Sequence, residues 1–157
     1  MDPVRRAAVI TVSDRSARGE REDTSGPLLS SLLRELGLDV ADVVVVPDER
    51  ELVALAVSTA AASYDVVVTT GGTGLSPRDI TPEAVAPLLD RLVPGIAEAL
   101  RGRGGVPTSI LSRGVAGTIG STLVVTLPGS TGGVRDGVAV LAPVLLHALD
   151  QLRGGDH

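Results

Sequence analysis

Lysine does not occur in this sequence, and all 14 basic residues are arginine. Schiff-base chemistry, a lysine nucleophile and the lysine of a Walker-type phosphate loop are therefore excluded. Cysteine is also absent, which removes disulfides, thiol catalysis and cysteine-ligated zinc or iron–sulfur centres and accords with a reducing compartment. Two histidines, His147 in a helical stretch and His157 at the end of the sequence, give almost no material for a histidine metal cage or a serine-histidine-acid triad. The single aromatic residue is Tyr64, so stacking platforms for single-stranded nucleic acid are missing. A formal net charge of −5 argues against a broad phosphate-backbone footprint, and no nucleic-acid partner is expected. The first residues lack the apolar core of a signal peptide, and no apolar run reaches the roughly 18 residues of a membrane span. A cytoplasmic protein with no membrane partner is the expectation.

Carboxylates, hydroxyls, arginines and backbone amides remain. A length of 157 residues suits one domain with a sizeable core, expected to span residues 1–157 with its core at about 7–152. Three apolar runs rich in β-branched residues, at 7–12, 40–46 and 64–70, alternate with helical patterns. That alternation predicts an α/β fold with a mostly parallel sheet covered by helices on both faces. The first helix is expected from Asp23-Thr24 to Leu36-Gly37, with Pro27 in its first turn. The second follows Pro47, where Asp48 and Glu51 have capping-box spacing, and runs to about Ala62. A third begins at Thr81-Pro82-Glu83, with Thr81 as N-cap, and its apolar periodicity reaches Leu92. A short helix over 96–101 and a flexible connection at Gly102, Gly104 and Gly105 come next. Residues 114–119 and 121–126, separated by Gly120, predict a hairpin, which makes the sheet mixed. A final helix over about 133–152 is expected to kink or break at Pro143, and Gly154 to His157 to fray.

Gly71, Gly72 and Gly74 flank Thr73 directly after the third run, and in a parallel α/β sheet ligands bind beyond the carboxyl ends of strands. Glycines there let backbone amides approach an anion closely, although a bare turn has the same composition. Arg78 could hold a phosphate and Asp79 a metal ion; for Asp79 the functional reading is favoured over an Asx-turn or loop cap, and for Glu83 a first-turn carboxylate is the favoured reading. A second glycine-rich loop, Pro128-Gly129-Ser130-Thr131-Gly132-Gly133, opens the last helix and could bind another anion. Asp48 follows the second run and would reach the same sheet edge, although locally it is a good helix cap. Ser13, Asp14 and Asp23 complete the rim, with turn and cap roles equally open to them. Ser112-Arg113 reads equally as a surface ion pair. Several polar or glycine-rich loops on one rim predict a cleft.

These segments, namely Thr-Val-Ser-Asp at 11–14, Asp23 with Ser25-Gly26-Pro27, Val-Pro-Asp-Glu at 46–49, Thr-Gly-Gly-Thr-Gly at 70–74, Pro-Arg-Asp-Ile-Thr-Pro-Glu at 77–83, Leu-Ser-Arg at 111–113 and Leu-Pro-Gly-Ser at 127–130, resemble the Mog/MoaB-type molybdopterin adenylyltransferases of molybdenum cofactor biosynthesis. The resemblance implies a three-layer α/β/α sandwich, a homotrimer, and transfer of AMP from magnesium-ATP to the terminal phosphate of molybdopterin with release of pyrophosphate. Carried over by position, Asp48 and Asp79 become the catalytic carboxylates and the candidate Mg2+ ligands. Gly71, Gly72, Thr73 and Gly74 then line the nucleotide and phosphate site. Ser13, Asp23, Ser112, Pro128, Gly129 and Ser130 contribute to the pterin cleft, and Arg78 and Arg113 are charge partners. A transient contact with the molybdate-inserting enzyme is implied as well. Thr126 stands where many relatives of this kind have asparagine, and Thr131-Gly132 where many have proline or lysine. The alternative is a carrier or scaffold that binds molybdopterin without catalysis; a purely structural trimerisation module ranks below both.

Overall fold

The computed structural model describes residues 3–102 and 107–155. In chain order its elements are β1 (Arg6–Val12), α1 (Asp14–Ala17), α2 (Ser25–Glu35), β2 (Asp39–Val40), β3 (Val44–Val46), α3 (Arg50–Ala61), β4 (Val66–Thr70), α4 (Thr81–Val85), β5 (Arg91–Leu92), α5 (Pro94–Arg101), β6 (Ala116–Ile119), β7 (Thr122–Leu127), α6 (Thr131–Leu141) and α7 (Leu145–Leu152). Among the described residues the strands form one mixed sheet of order β2-β1-β4-β7-β6-β5, with β3 also paired to β1. β6 is antiparallel to both its neighbours, and the other pairings are parallel.

Alternation along the strands builds two cores. Ala7 and Val9 of β1, Val66 and Val68 of β4, and Leu123, Val125 and Leu127 of β7 pack with Leu29 and Leu33 of α2 and with Val134, Val138, Leu141, Leu145 and Leu149 of α6 and α7. Ala8, Ile10 and Val12, with Val67 and Val124, face the opposite layer, where Val53, Val57, Ala84 and Val85 of α3 and α4 meet them. Both faces of the sheet are covered, which is why the strands read as unbroken apolar runs. The expected three-layer α/β/α sandwich is the observed fold.

Several local expectations are corrected. The run at 40–46 is two short strands, because residues 41–43 leave the ladder between the registers Ala7↔Val40 and Ile10↔Val44. The third helix stops at Val85 and tightens into a 3-10 turn over Ala86–Leu88, since Pro87 supplies no amide donor; Arg91–Leu92 is an edge strand. The helix after Pro47 has Glu49 as N-cap with no side-chain cap bond, so the capping box from Asp48 does not form. Thr81 is the first helical residue of α4, behind Ile80 at the N-cap. The short helix α1 has no counterpart among the expected elements. Pro143 breaks the last helix in two, with a 61° bend between α6 and α7. Gly154 and Gly155 donate to the carbonyls of Gln151 and Asp150 at 2.9 Å each, closing the end of α7 rather than fraying. Gly104, Gly105, Asp156 and His157 lie outside the described residues. The hairpin at Gly120, where φ is +58°, is as expected. Among the described residues no single helix is long and apolar enough to cross a membrane.

The chain leaves β1 toward β2 on one side and returns across it to β4 on the other. The carboxyl ends of β1 and β4 are thus a topological switch point, where adjacent loops diverge and leave a crevice.

Candidate functional site

β1 and β4 end side by side, with Thr11 opposite Thr70. Beyond Thr70 the chain turns through Gly71 at φ +105° and Gly72 at φ +72°, both in the region that favours glycine. The Gly71 amide donates to the Leu127 carbonyl at 2.9 Å, whereas the Gly72 and Thr73 amides have no hydrogen-bond acceptor among the described residues. The loop is fixed from α4: the Thr81 hydroxyl donates to the Gly71 carbonyl at 2.9 Å, and the Thr81 amide to the Gly72 carbonyl at 3.0 Å. The residue expected as a cap therefore holds the glycine loop in shape.

Asp48, at the carboxyl end of β3, reaches the neighbouring loop. Its amide donates to Asp14 Oδ1 and its Oδ2 accepts from the Asp14 amide, both at 2.9 Å. Arg78 closes on the same Asp14 with Nε and Nη2 at 3.0 Å each. That guanidinium holds the Asp14 carboxyl below its ordinary range. Asp48 moves the other way: burial raises it, the Asp14 amide opposes that, and the charges of Asp14 and Asp79 add to the rise. Asp79 closes its own turn, its Oδ2 accepting from the Ser76 amide at 3.0 Å while its amide donates to the Ser76 carbonyl at 2.8 Å. Asp23 accepts from the Thr11 hydroxyl at 2.8 Å and from the Gly26 amide at 3.1 Å, and so caps α2 in place of Thr24. Ser13 caps α1, accepting from the Ser16 amide at 3.2 Å.

The second glycine-rich loop meets the first backbone to backbone. The Thr70 hydroxyl donates to the Pro128 carbonyl at 2.8 Å, and a Cβ on Gly129 would sit 3.2 Å from Gly71 Cα. Ser130 caps α6 through the Gly133 amide at 3.0 Å. Arg113 braces the loop from behind, with Nε on the Gly74 carbonyl at 2.8 Å, Nη2 on the Asp79 carbonyl at 2.9 Å and Nη1 on Glu83 at 2.6 Å. The Ser112 hydroxyl donates to the buried Thr73 hydroxyl at 3.3 Å. Thr126 is turned to its own hairpin, accepting from the Val115 amide at 2.8 Å and donating to the Val115 carbonyl at 3.0 Å.

These loops enclose a cavity of about 330 Å³. Ser13, Asp23, Asp48, Gly71, Gly72, Asp79, Gly129 and Ser130 of the sequence-derived set line it. Thr73, Gly74, Arg78, Ser112, Arg113 and Pro128 are not among its lining residues and hold the loops that are. Thr11, Ser16, Arg21, Glu22, Thr24, Ser25 and Thr70 also line it, and sequence reasoning does not select them. The Asp23-x-Ser25-Gly26 turn is a signal for Ser25; for Arg21 and Glu22 the sequence carries none. Among the described residues no group of three or more metal-binding side chains occurs. Two carboxylates, Asp48 and Asp79, nonetheless line one cavity with their Oδ1 atoms outside any hydrogen bond among the described residues. That donor set fits magnesium, which takes one or two carboxylates together with substrate phosphates and water.

A family model for a probable molybdopterin binding domain matches residues 8–147. The chain belongs to that family. It is 45% identical over 154 residues to a molybdenum cofactor biosynthesis bifunctional protein of Synechococcus elongatus, covering 96% of this chain and 48% of the relative. It thus spans about half the length of that relative. A molybdopterin adenylyltransferase of Pyrococcus furiosus is 39% identical over 153 residues, covering 92% of this chain and 89% of the relative. The crystal structure of a molybdopterin biosynthesis protein from Mycobacterium abscessus superposes with a TM-score of 0.92 at 51% identity, covering 97% of this chain and 98% of the other.

Proposed function

We propose that this chain acts in molybdenum cofactor biosynthesis as a molybdopterin adenylyltransferase, moving AMP from magnesium-ATP to the terminal phosphate of molybdopterin. A phosphate oxygen of the pterin attacks the α-phosphorus and forms a new P–O bond; the bond from that phosphorus to the β-phosphoryl oxygen breaks, and pyrophosphate leaves with the electron pair. The nucleophile is already ionised at neutral pH, so the reaction requires no histidine base. Positioning and charge neutralisation are the whole catalytic demand.

The observation that carries this reading is the placement of Asp48 and Asp79 in one cavity with the Gly71-Gly72 turn. The two carboxylates would hold magnesium, which when bound supplies neutralisation of the phosphate charge. The Gly72 amide, on the cavity lining and without an acceptor among the described residues, is a donor for a phosphate oxygen. Ser13, Asp23, Gly129 and Ser130 offer polar groups to the pterin side, with Ser112, Gly74 and Pro128 shaping the loops. Arg78 and Arg113 act through the loops they brace. One aromatic residue in the whole chain leaves pterin recognition to hydrogen bonds and aliphatic contact. A homotrimer belongs to this reading, and the apolar groove of about 570 Å³ along β3 and α3, with Val44, Leu52 and Leu55 exposed, is a surface suited to another copy. So does a transient contact with the enzyme that inserts molybdate.

The test is incubation of the purified protein with molybdopterin, ATP and magnesium, following pyrophosphate and adenylylated molybdopterin together. Wild type forms both only with magnesium. Asp48→Asn and Asp79→Asn lose turnover by about 10²-fold or more while keeping fold and sedimentation. Tight pterin binding without either product, under conditions where an active relative turns over, would instead establish the carrier reading.

A further inference from the structure

The cavity's charge is badly matched to a phosphorylated ligand. Its lining includes the carboxylates of Glu22, Asp23, Asp48 and Asp79 and, among the described residues, a single cation, Arg21. Two arginines of the neighbouring loops are engaged, Arg78 bidentate on Asp14 and Arg113 held by Gly74, Asp79 and Glu83, and Arg15, exposed beside them, does not line the cavity. Arg18, in the same segment as Arg21, is paired with Glu20 at 3.0 Å. Arg21 has no hydrogen bond or ion pair among the described residues, is exposed, and is one of the residues that line the cavity.

Its backbone is nevertheless well placed. On one side the chain is closed by the Arg18 amide on the Asp14 carbonyl at 3.0 Å and the Glu20 amide on the Arg15 carbonyl at 2.9 Å. Two residues beyond, Asp23 is anchored to Thr11 and Gly26. Arg21 therefore carries an unpaired guanidinium on a short span fixed at both ends, and it lines the same cavity as Gly71, Gly72 and Ser130. A guanidinium binds phosphate through two parallel hydrogen bonds, and one without a competing partner loses nothing by turning to it.

We propose that Arg21 binds a phosphate group of the ligand in this cavity. The inference rests on the adenylyltransferase reading for the identity of the ligands, but not for the existence of the contact. Two ligands offer phosphate, the nucleotide with its triphosphate and molybdopterin with its terminal phosphate, and they are separated by titrating magnesium-ATP and molybdopterin singly into wild type, Arg21→Ala and Arg21→Lys by calorimetry at two salt concentrations. Arg21→Ala keeps the wild-type Tm and weakens one of the two ligands by about tenfold, with a shallower salt dependence; Arg21→Lys recovers part of the affinity. The ligand that weakens identifies the source of the phosphate. Unchanged affinity of Arg21→Ala for both ligands overturns the proposal, even if the wild type turns over. An Arg21-dependent affinity in a wild type that forms no adenylylated product upholds it and removes the enzyme reading instead. Failure of the wild type to bind either ligand overturns both.

Discussion

The two glycine-rich loops have similar compositions and opposite physics. In the 71–74 loop, Gly71 and Gly72 stand at φ +105° and +72°, and a Cβ on Gly71 would lie 2.3 Å from the Val12 carbonyl oxygen. Glycine is required there by the surrounding backbone. In the 128–133 loop no glycine has a positive φ; a Cβ added to Gly132 would meet nothing within 4 Å, one on Gly129 or Gly133 would crowd Gly71 Cα at 3.2 Å or Pro128 Cβ at 2.9 Å, and Ser130 caps α6. The first loop is a cradle that needs a left-handed backbone, and the second, which abuts it through Pro128 and Gly129, is a capped helix start in ordinary backbone. Glycine content alone does not separate an anion cradle from a capped helix; the backbone that surrounds it does.

The contrast can be broken by substitution. Gly71→Ala is expected to destabilise by about 3 kcal/mol or more, because both the left-handed φ and the Val12 backbone oppose a methyl group; a loss below about 1 kcal/mol in urea unfolding would mean the cradle is soft. Ser130→Ala removes one cap and is expected to lower stability by about 1 kcal/mol, with the first loop's ligand affinity retained. Asp48→Asn sharpens the comparison at the cradle's charged side. Because the Asp48 carboxyl titrates above its ordinary range in the folded protein, its ionised form opposes folding at neutral pH. The amide variant is therefore expected to show a slightly higher Tm near pH 7, an advantage that vanishes as pH falls through the raised titration range to ordinary carboxylate values. A Tm gain that persists in acid would disprove that electrostatic origin. Gly132→Ala is the smallest change, a gain of no more than about 0.5 kcal/mol in the same urea unfolding, since alanine is the better helix former.

What could be read from sequence follows the range of the interactions. The strands at 6–12, 66–70 and 122–127, the helices packed on them and the hairpin at Gly120 announce themselves through periodicity and turn chemistry, which are local. Both glycine loops are legible for the same reason. The partners are not. Asp48 looks like a cap because Glu51 stands three residues on, yet its amide and carboxylate pair with Asp14, 34 residues away. Thr81 looks like a cap because Pro82 follows it, yet its hydroxyl serves Gly71. Arg78 and Arg113 look like ligand groups by charge and position, and only tertiary structure reveals their grip on Asp14 and on Gly74, Asp79 and Glu83. Arg21 is invisible because nothing local distinguishes a free arginine from a paired one.

The divided strand at the sheet's rim has a consequence for the chain's behaviour in a crowded solution. A long, flat edge of unpaired amides and carbonyls invites another molecule to add its own strand, and repeated addition leads to aggregates. Here one rim is interrupted at residues 41–43 between pieces of two and three residues, and the other ends in the two-residue strand β5. Neither rim offers a continuous template. Restoring an unbroken strand over 40–46 would lengthen the sheet and remove a safeguard against uncontrolled self-association.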